Sequence, residues 1–133
     1  MTRRSFVSTE KGTVMQRAEA ARTSAWLLLG CAVALETAGV IGLRYSEGFT
    51  VALPGLAALA AFALALYLVS RVMVKLPVSV AYPVWAGGGT AGVVLIGIAV
   101  LGEELTAAKA IGVALVIAGV VVVNRVSEKT GGC

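Results

Sequence analysis

One carboxylate stands out among the residues able to do chemistry. Glu36 lies in AWLLLGCAVALETAGVIGL (residues 25–43), a run that carries no other charge and is long enough to cross a bilayer. Insertion scales put an acidic residue at mid-membrane at roughly 2.5–3.5 kcal/mol unfavourable, which makes it a functional-site hypothesis by default. Leu29, Ala32, Val33, Gly39, Val40 and Leu43 lie three, four or seven residues away and so share its helical face. Several are small or of medium size, leaving room beside the carboxylate or permitting close helix approach. Ser79, Tyr82 and Trp85 recur at three-residue intervals in a later apolar run, placing two aromatic rings on one face. Aromatic faces attract cations, more strongly when both partners are desolvated. Tyr82 is also a candidate hydrogen-bond donor to Glu36. A carboxyl group deprived of water is neutralised by a proton or by a cation, but not by both. That exclusion is the physical minimum for exchanging protons against cationic solutes.

The elements that must hold these groups are membrane helices. The chain has 133 residues, 59% of them hydrophobic and 14% charged, with a mean hydropathy of +0.94. That composition belongs to an integral membrane protein. Four stretches reach spanning length: 25–43, 51–70, 76–101 and approximately 105–123. The expected fold class is an all-α membrane protein with four transmembrane helices in residues 25–124. A polar, disordered tail is expected at 1–24, with Met15 as an internal start candidate, and a short polar tail at 125–133. Residues 1–24 lack the apolar run of a signal peptide.

Other chemistries find no support. There is no His and no Asp, which removes His-dependent triads and makes a metal cluster improbable. Gly87, Gly88 and Gly89 lack the Lys-Ser/Thr of a phosphate loop and fall inside an apolar span, where they read as a helix hinge, with Pro83 as a second weak point. No nucleophile–base pair or cofactor motif is present, so neither an enzyme nor a cofactor is expected. Cys31 reads as a small core residue, and Cys133, at the end of the chain, is a poor disulfide partner for it. The net charge of +4 sits beside the spans and reads as lipid and topology charge, not nucleic-acid binding. Gly112 and Gly119, with Val116 between, form a stripe suited to helix contact on the fourth span, and Phe62 marks the second, otherwise permissive span. Four short helices wrap a substrate and an alternating pathway poorly, so at least a dimer is expected, with two copies of Glu36 facing one another.

The segments ALETAGVIGLRYSEGFT (34–50) and LPVSVAYPVWAGGGTAG (76–92) resemble the small multidrug resistance family of bacterial exporters, and the likeness runs from about Trp26 to Asn124. The resemblance implies an antiparallel dimer of four-helix subunits in the inner membrane, exchanging protons for small cations by alternating access. It implies that Glu36 is the shared proton and substrate carboxylate. Tyr82, Trp85 and Phe62 would be chamber aromatics, and Leu29, Ala32, Gly39 and Val40 would line the same face. Gly87 and Gly89 match the conformational hinge, and Gly112 and Gly119 the dimer contact.

Some positions depart from the family pattern. Ser79 stands where Gly is frequent, Val40 where a hydroxyl residue is common, and Pro83 where the residue is usually small. Guanidinium-exporting relatives usually carry Trp where this chain has Gly39, which favours lipophilic or quaternary ammonium cations over guanidinium. Lys and Arg number nine on the face of the two termini and the second connection, against two on the other. The positive-inside rule thus places both termini in the cytoplasm, whereas an antiparallel homodimer needs both orientations. A homodimer is expected first, and a heterodimer with an oppositely oriented relative is the alternative. A non-transporting membrane subunit, in which Glu36 only pairs helices, is the rival of a different class.

Overall fold

The computed structural model describes residues 2–130, with side chains from residue 9 onward. Four helices follow in order: α1 (Thr2–Tyr45), α2 (Ala52–Met73), α3 (Val78–Ala99) and α4 (Ala107–Thr130). Each is long and apolar enough to cross a membrane. Helices satisfy every backbone group within the segment, which hydrocarbon demands.

The ends show local causes. α3 starts immediately after Pro77, whose predecessor is biased away from helical geometry. Pro54 sits in the first turn of α2, where its missing N–H costs little. α4 is opened by Thr106, whose hydroxyl accepts the Lys109 backbone N–H at 3.3 Å. The α1–α2 turn is built on buried Ser46, whose Oγ donates to the Leu43 carbonyl (2.6 Å) and accepts from the Phe49 N–H (3.3 Å). Glu47, Gly48 and Phe49 then run through positive φ, a left-handed excursion costing about 1–2 kcal/mol at each non-glycine position.

Two boundaries differ from the sequence-based expectation. α1 continues N-terminally through the segment for which disorder was expected. Residues 13–24 are rich in Ala, Arg, Glu and Gln, strong helix formers with no Pro or Gly among them. α4 likewise passes Val123 to Thr130, and the next glycine in sequence is Gly131. Cys133, expected to be a poor disulfide partner for Cys31, lies outside the described residues. Cys31 is exposed on α1 and is not a core residue, because the α2- and α3-facing sides of the helix are occupied by its neighbours.

Small residues set the packing. α1 packs most extensively on α2, with Gly42 so close to Ala58 and the Pro54 carbonyl that an added Cβ would meet both at 3.3 Å. Such close approach substitutes for a hydrophobic driving force that lipid does not supply. Ala25, Leu29, Val72, Leu76 and Ala81 form a buried cluster joining α1, α2 and α3. α3 lies between α1 and α4, and α4 packs on α3 alone among the described helices. None of its residues is buried.

Beyond that seam, α4 is tied to α1 by charge. Glu103 pairs with Arg44 Nη1 (3.2 Å) at the end of α1 and with Lys109 Nζ (3.1 Å) in the first turn of α4. Its backbone N–H bonds the Gly97 carbonyl at 3.0 Å, and Gly102 supplies the left-handed turn (φ +64°) that brings it back. The Lys109 ammonium ends in this pair. The hydrogen bond and charge of Lys109, with a smaller contribution from Arg44, hold the Glu103 carboxyl below its ordinary value. A depressed carboxyl lends stability that is present above the ordinary carboxylate range and lost as pH falls through its lowered value. Glu103→Gln therefore lowers the thermal midpoint of detergent-solubilised protein by a few degrees at neutral pH. It also narrows the gap to wild type as the solution is acidified. An unchanged gap from neutral to acidic pH contradicts the tie.

Candidate functional site

Glu36 sits in the last third of α1, facing α3. It meets the helix where α3 has lost its side chains: a Cβ built on Gly89 would overlap the Glu36 carboxylate. The contact is one rung of a ladder. Val33 lies against Gly88, where a Cβ would come within 3.3 Å of its methyl, and Thr37 Oγ1 lies 2.9 Å from the Cβ position of Gly92. Gly88, Gly89 and Gly92 thus form one glycine face that admits Val33, Glu36 and Thr37. Thr37 is buried, and its hydroxyl donates to the Val33 carbonyl at 2.9 Å.

Gly87 points the other way. A Cβ there would come within 2.5 Å of a Val120 methyl and 3.2 Å of a Val116 methyl on α4. The glycine triplet therefore packs α3 against both neighbours, and α3 runs unbroken through it. Pro83, one turn earlier, removes the N–H that would otherwise bond the Ser79 carbonyl.

Two polar atoms are left over. Glu36 Oε2 and Trp85 Nε1 are both enclosed and have no hydrogen-bond partner among the described residues. The indole N–H lies near enough to act on the carboxylate but closes no hydrogen bond with it. Enclosed polar atoms in native proteins are nearly always paired, so an orphan acceptor beside an orphan donor is a marked feature. Tyr82 packs edge-on against Trp85, with ring centroids 5.8 Å apart and planes at 75°. It is 53% exposed and makes no hydrogen bond among the described residues, so the expected bond to Glu36 is not formed.

The other expected residues divide among three surroundings. Leu29 is buried in the α1–α2–α3 cluster against which Trp85 packs, supporting the ring from below. Ala32 is fully buried. Gly39 faces α2, where a Cβ would meet the Phe62 ring at 3.0 Å, so Phe62 covers α1 one turn from the acid. Val40 lines a cavity of about 370 Å³ with Thr37, running between α1 and α3 to a mouth formed by Arg44, Glu103 and Lys109. Gly112 and Gly119 have no neighbour within 4 Å of a Cβ and lie on the open side of α4. Thr37, Gly92 and Glu103 were missed from sequence. A glycine stripe at 88, 89 and 92 was the available signal for the first two, since those positions share a helical face.

The seating of the carboxylate is testable by adding one methyl group. Gly89→Ala forces Glu36 or α3 to move, and overpacking of this kind costs about 1–3 kcal/mol. If the carboxylate is a cation site, cation binding then weakens while the protein still folds. Gly87→Ala strains the α3–α4 seam instead and lowers the thermal midpoint with a smaller effect on binding. Gly30→Ala, which meets nothing within 4 Å, serves as the neutral control. Equal binding by wild type and Gly89→Ala contradicts the seat.

The chain is also similar to known proteins. Residues 24–116 match the family model for the Small Multidrug Resistance protein. A guanidinium exporter of Yersinia pseudotuberculosis is 38% identical over 97 residues, covering 73% of this chain and 93% of that protein. A guanidinium exporter of Citrobacter freundii is 38% identical over 96 residues, covering 72% and 91% respectively. The nicotine metabolites export pump subunit NepB of Paenarthrobacter nicotinovorans is also 38% identical, over 108 residues. That alignment takes in 81% of this chain but 65% of NepB, so the chain spans just under two thirds of that relative's length. With matches over most of its four spans, the chain belongs to the small multidrug resistance family of exporters and is a multi-pass protein of the bacterial inner membrane.

Proposed function

We propose that the protein is a proton-coupled antiporter of lipophilic or quaternary ammonium cations, with Glu36 holding a proton and the substrate in turn. The observation that carries this reading is the enclosed, unpartnered Glu36 oxygen beside the Trp85 ring. A carboxylate in a membrane span gains most from a neutralising partner, and an aromatic wall favours one whose charge is spread over apolar surface. Trp85, Tyr82 and Phe62 supply that wall, and Gly39 leaves the Phe62 ring against α1 with no side chain between. Gly87 and Gly89 act as the hinge of the switch between access states, the movement being a change in how α3 seats on α1 and α4.

Assembly follows from the open side of α4. A Cβ added at Gly112 or Gly119 would meet nothing within 4 Å among the described residues, and Ile111 and Leu115 beside them are exposed. These residues form the dimer contact, bringing two Glu36 side chains into one chamber. A homodimer in two orientations is the first reading and a heterodimer the second. NepB, named a pump subunit, gives the second a precedent among relatives.

A second substrate reading has a specific observation behind it: seven 38%-identical relatives are named guanidinium exporters. Guanidinium presents a planar fork of N–H donors that needs several acceptors in its plane. Beside Glu36 stand an indole N–H, which donates only, and the Thr37 hydroxyl, whose proton goes to the Val33 carbonyl and whose oxygen can still accept. One carboxylate and one hydroxyl oxygen are a short acceptor set for a planar fork of donors, and a cation without donors needs none of it.

Proteoliposomes under an imposed pH gradient separate the readings. The expected result is gradient dissipation by a bulky quaternary ammonium and a weaker response to guanidinium. Glu36→Gln should fall to the level of protein-free vesicles while still assembling. A response to guanidinium alone selects the second reading, and no cation-linked proton movement contradicts both.

A further inference from the structure

A cavity of about 900 Å³ opens between the middle of α1, the start of α3 and the end of α4. Its lining is rich in unused donors. Arg22 has no ion pair or hydrogen bond among the described residues, and Lys75 spends one donor on Ser24 Oγ at 3.1 Å. α3 starts at the cavity with no side chain capping its first turn, so the Val78 and Ser79 N–H groups face outward along the positive end of a 22-residue helix. The hydroxyls of Ser79 and Ser127 make no hydrogen bond among the described residues, whereas the Asn124 side-chain oxygen, enclosed without a partner there, is an acceptor and adds no donor.

Charge selects the kind of ligand. Arg22 and Lys75 against Glu128 leave the lining side chains at a net +1, and the α3 N-terminus adds about half a positive charge. Neither Glu36 nor Tyr82 nor Trp85 lines this cavity, and its positive balance disfavours a cation. Guanidinium, ammonium, hydroxyl and helix N-terminal N–H groups are together the donor set of a phosphate site. Trp26, at 38% exposure, borders the cavity at the level where indoles mark the membrane–water interface.

We propose that this cavity binds a phosphate group, supplied by the headgroup of an anionic phospholipid of the same leaflet. Basic pockets between transmembrane helices near the interface hold such headgroups. The bound lipid would brace the N-terminal part of α1 against the ends of α3 and α4, which otherwise meet around open space. This reading is independent of which cation is exported.

Trp26 reports on the site. The full-length protein is reconstituted in phosphatidylcholine vesicles containing bromine-labelled acyl chains on either phosphatidylglycerol or phosphatidylcholine. The Trp26→Phe variant isolates the signal of Trp26 from that of Trp85. The expected result is that brominated phosphatidylglycerol quenches Trp26 with about fivefold preference, the factor one basic residue is worth at an anionic surface. Arg22→Gln with Lys75→Gln removes the preference. If that double variant fails to assemble, the wild-type comparison between the two lipids decides alone. Loss of the preference in excess inorganic phosphate supports the phosphate site and shows that the soluble ion competes for it. Equal quenching by the two lipids in wild type overturns the proposal.

Discussion

The Glu36 carboxylate occupies a place where a side chain on the facing helix would stand, and the remaining structure is arranged around that approach. A charged group in hydrocarbon is tolerated where it faces protein, and α3 must come very near to enclose it. Gly89 permits the contact, while Gly88 and Gly92 extend it to Val33 and Thr37. The seat encloses the acid without bonding it. A site that must release its ligand on the opposite side of a membrane gains from this incompleteness, because a carboxylate satisfied by fixed protein donors would have little use for a cation.

The same contact explains how the helices share their duties. α1 and α2 form the firmest pair, closed by small residues and by Phe62 over Gly39. α3 is held on two sides by glycines and carries Pro83 within it. α4 rests on α3 through Gly87 and on α1 through the carboxylate of Glu103 alone among described contacts. A helix attached so lightly within one chain, with every residue at least partly accessible, is suited to packing against a second subunit. Movement of α3 would then be felt at both the acid and the α4 seam.

Much of this was legible in the sequence because membranes make residue choice expensive. One acid in an apolar run, aromatics at three-residue spacing and a glycine triplet stand out against Leu, Val and Ala, and hydropathy gave the spans. Helix ends were less legible. Residues 13–24 are polar, and polarity suggests a tail, yet their helix propensity carries α1 through them. Direction within a helix was harder still. Gly39 and Val40 both share a face with Glu36 in projection, but one meets Phe62 and the other a cavity beside α3. The Glu103 pairings depend on the left-handed turn at Gly102, and no spacing rule reaches from Arg44 across two helices to find them.

The claim that one enclosed carboxylate exchanges a proton for a cation is tested most directly by measuring proton release as a cation binds. Detergent-solubilised protein in weakly buffered solution, read with a pH indicator, is titrated with a quaternary ammonium ion. Protons should appear in the medium as binding saturates, and the Glu36→Gln variant should release none. Saturable binding by wild type with no proton release would contradict the account.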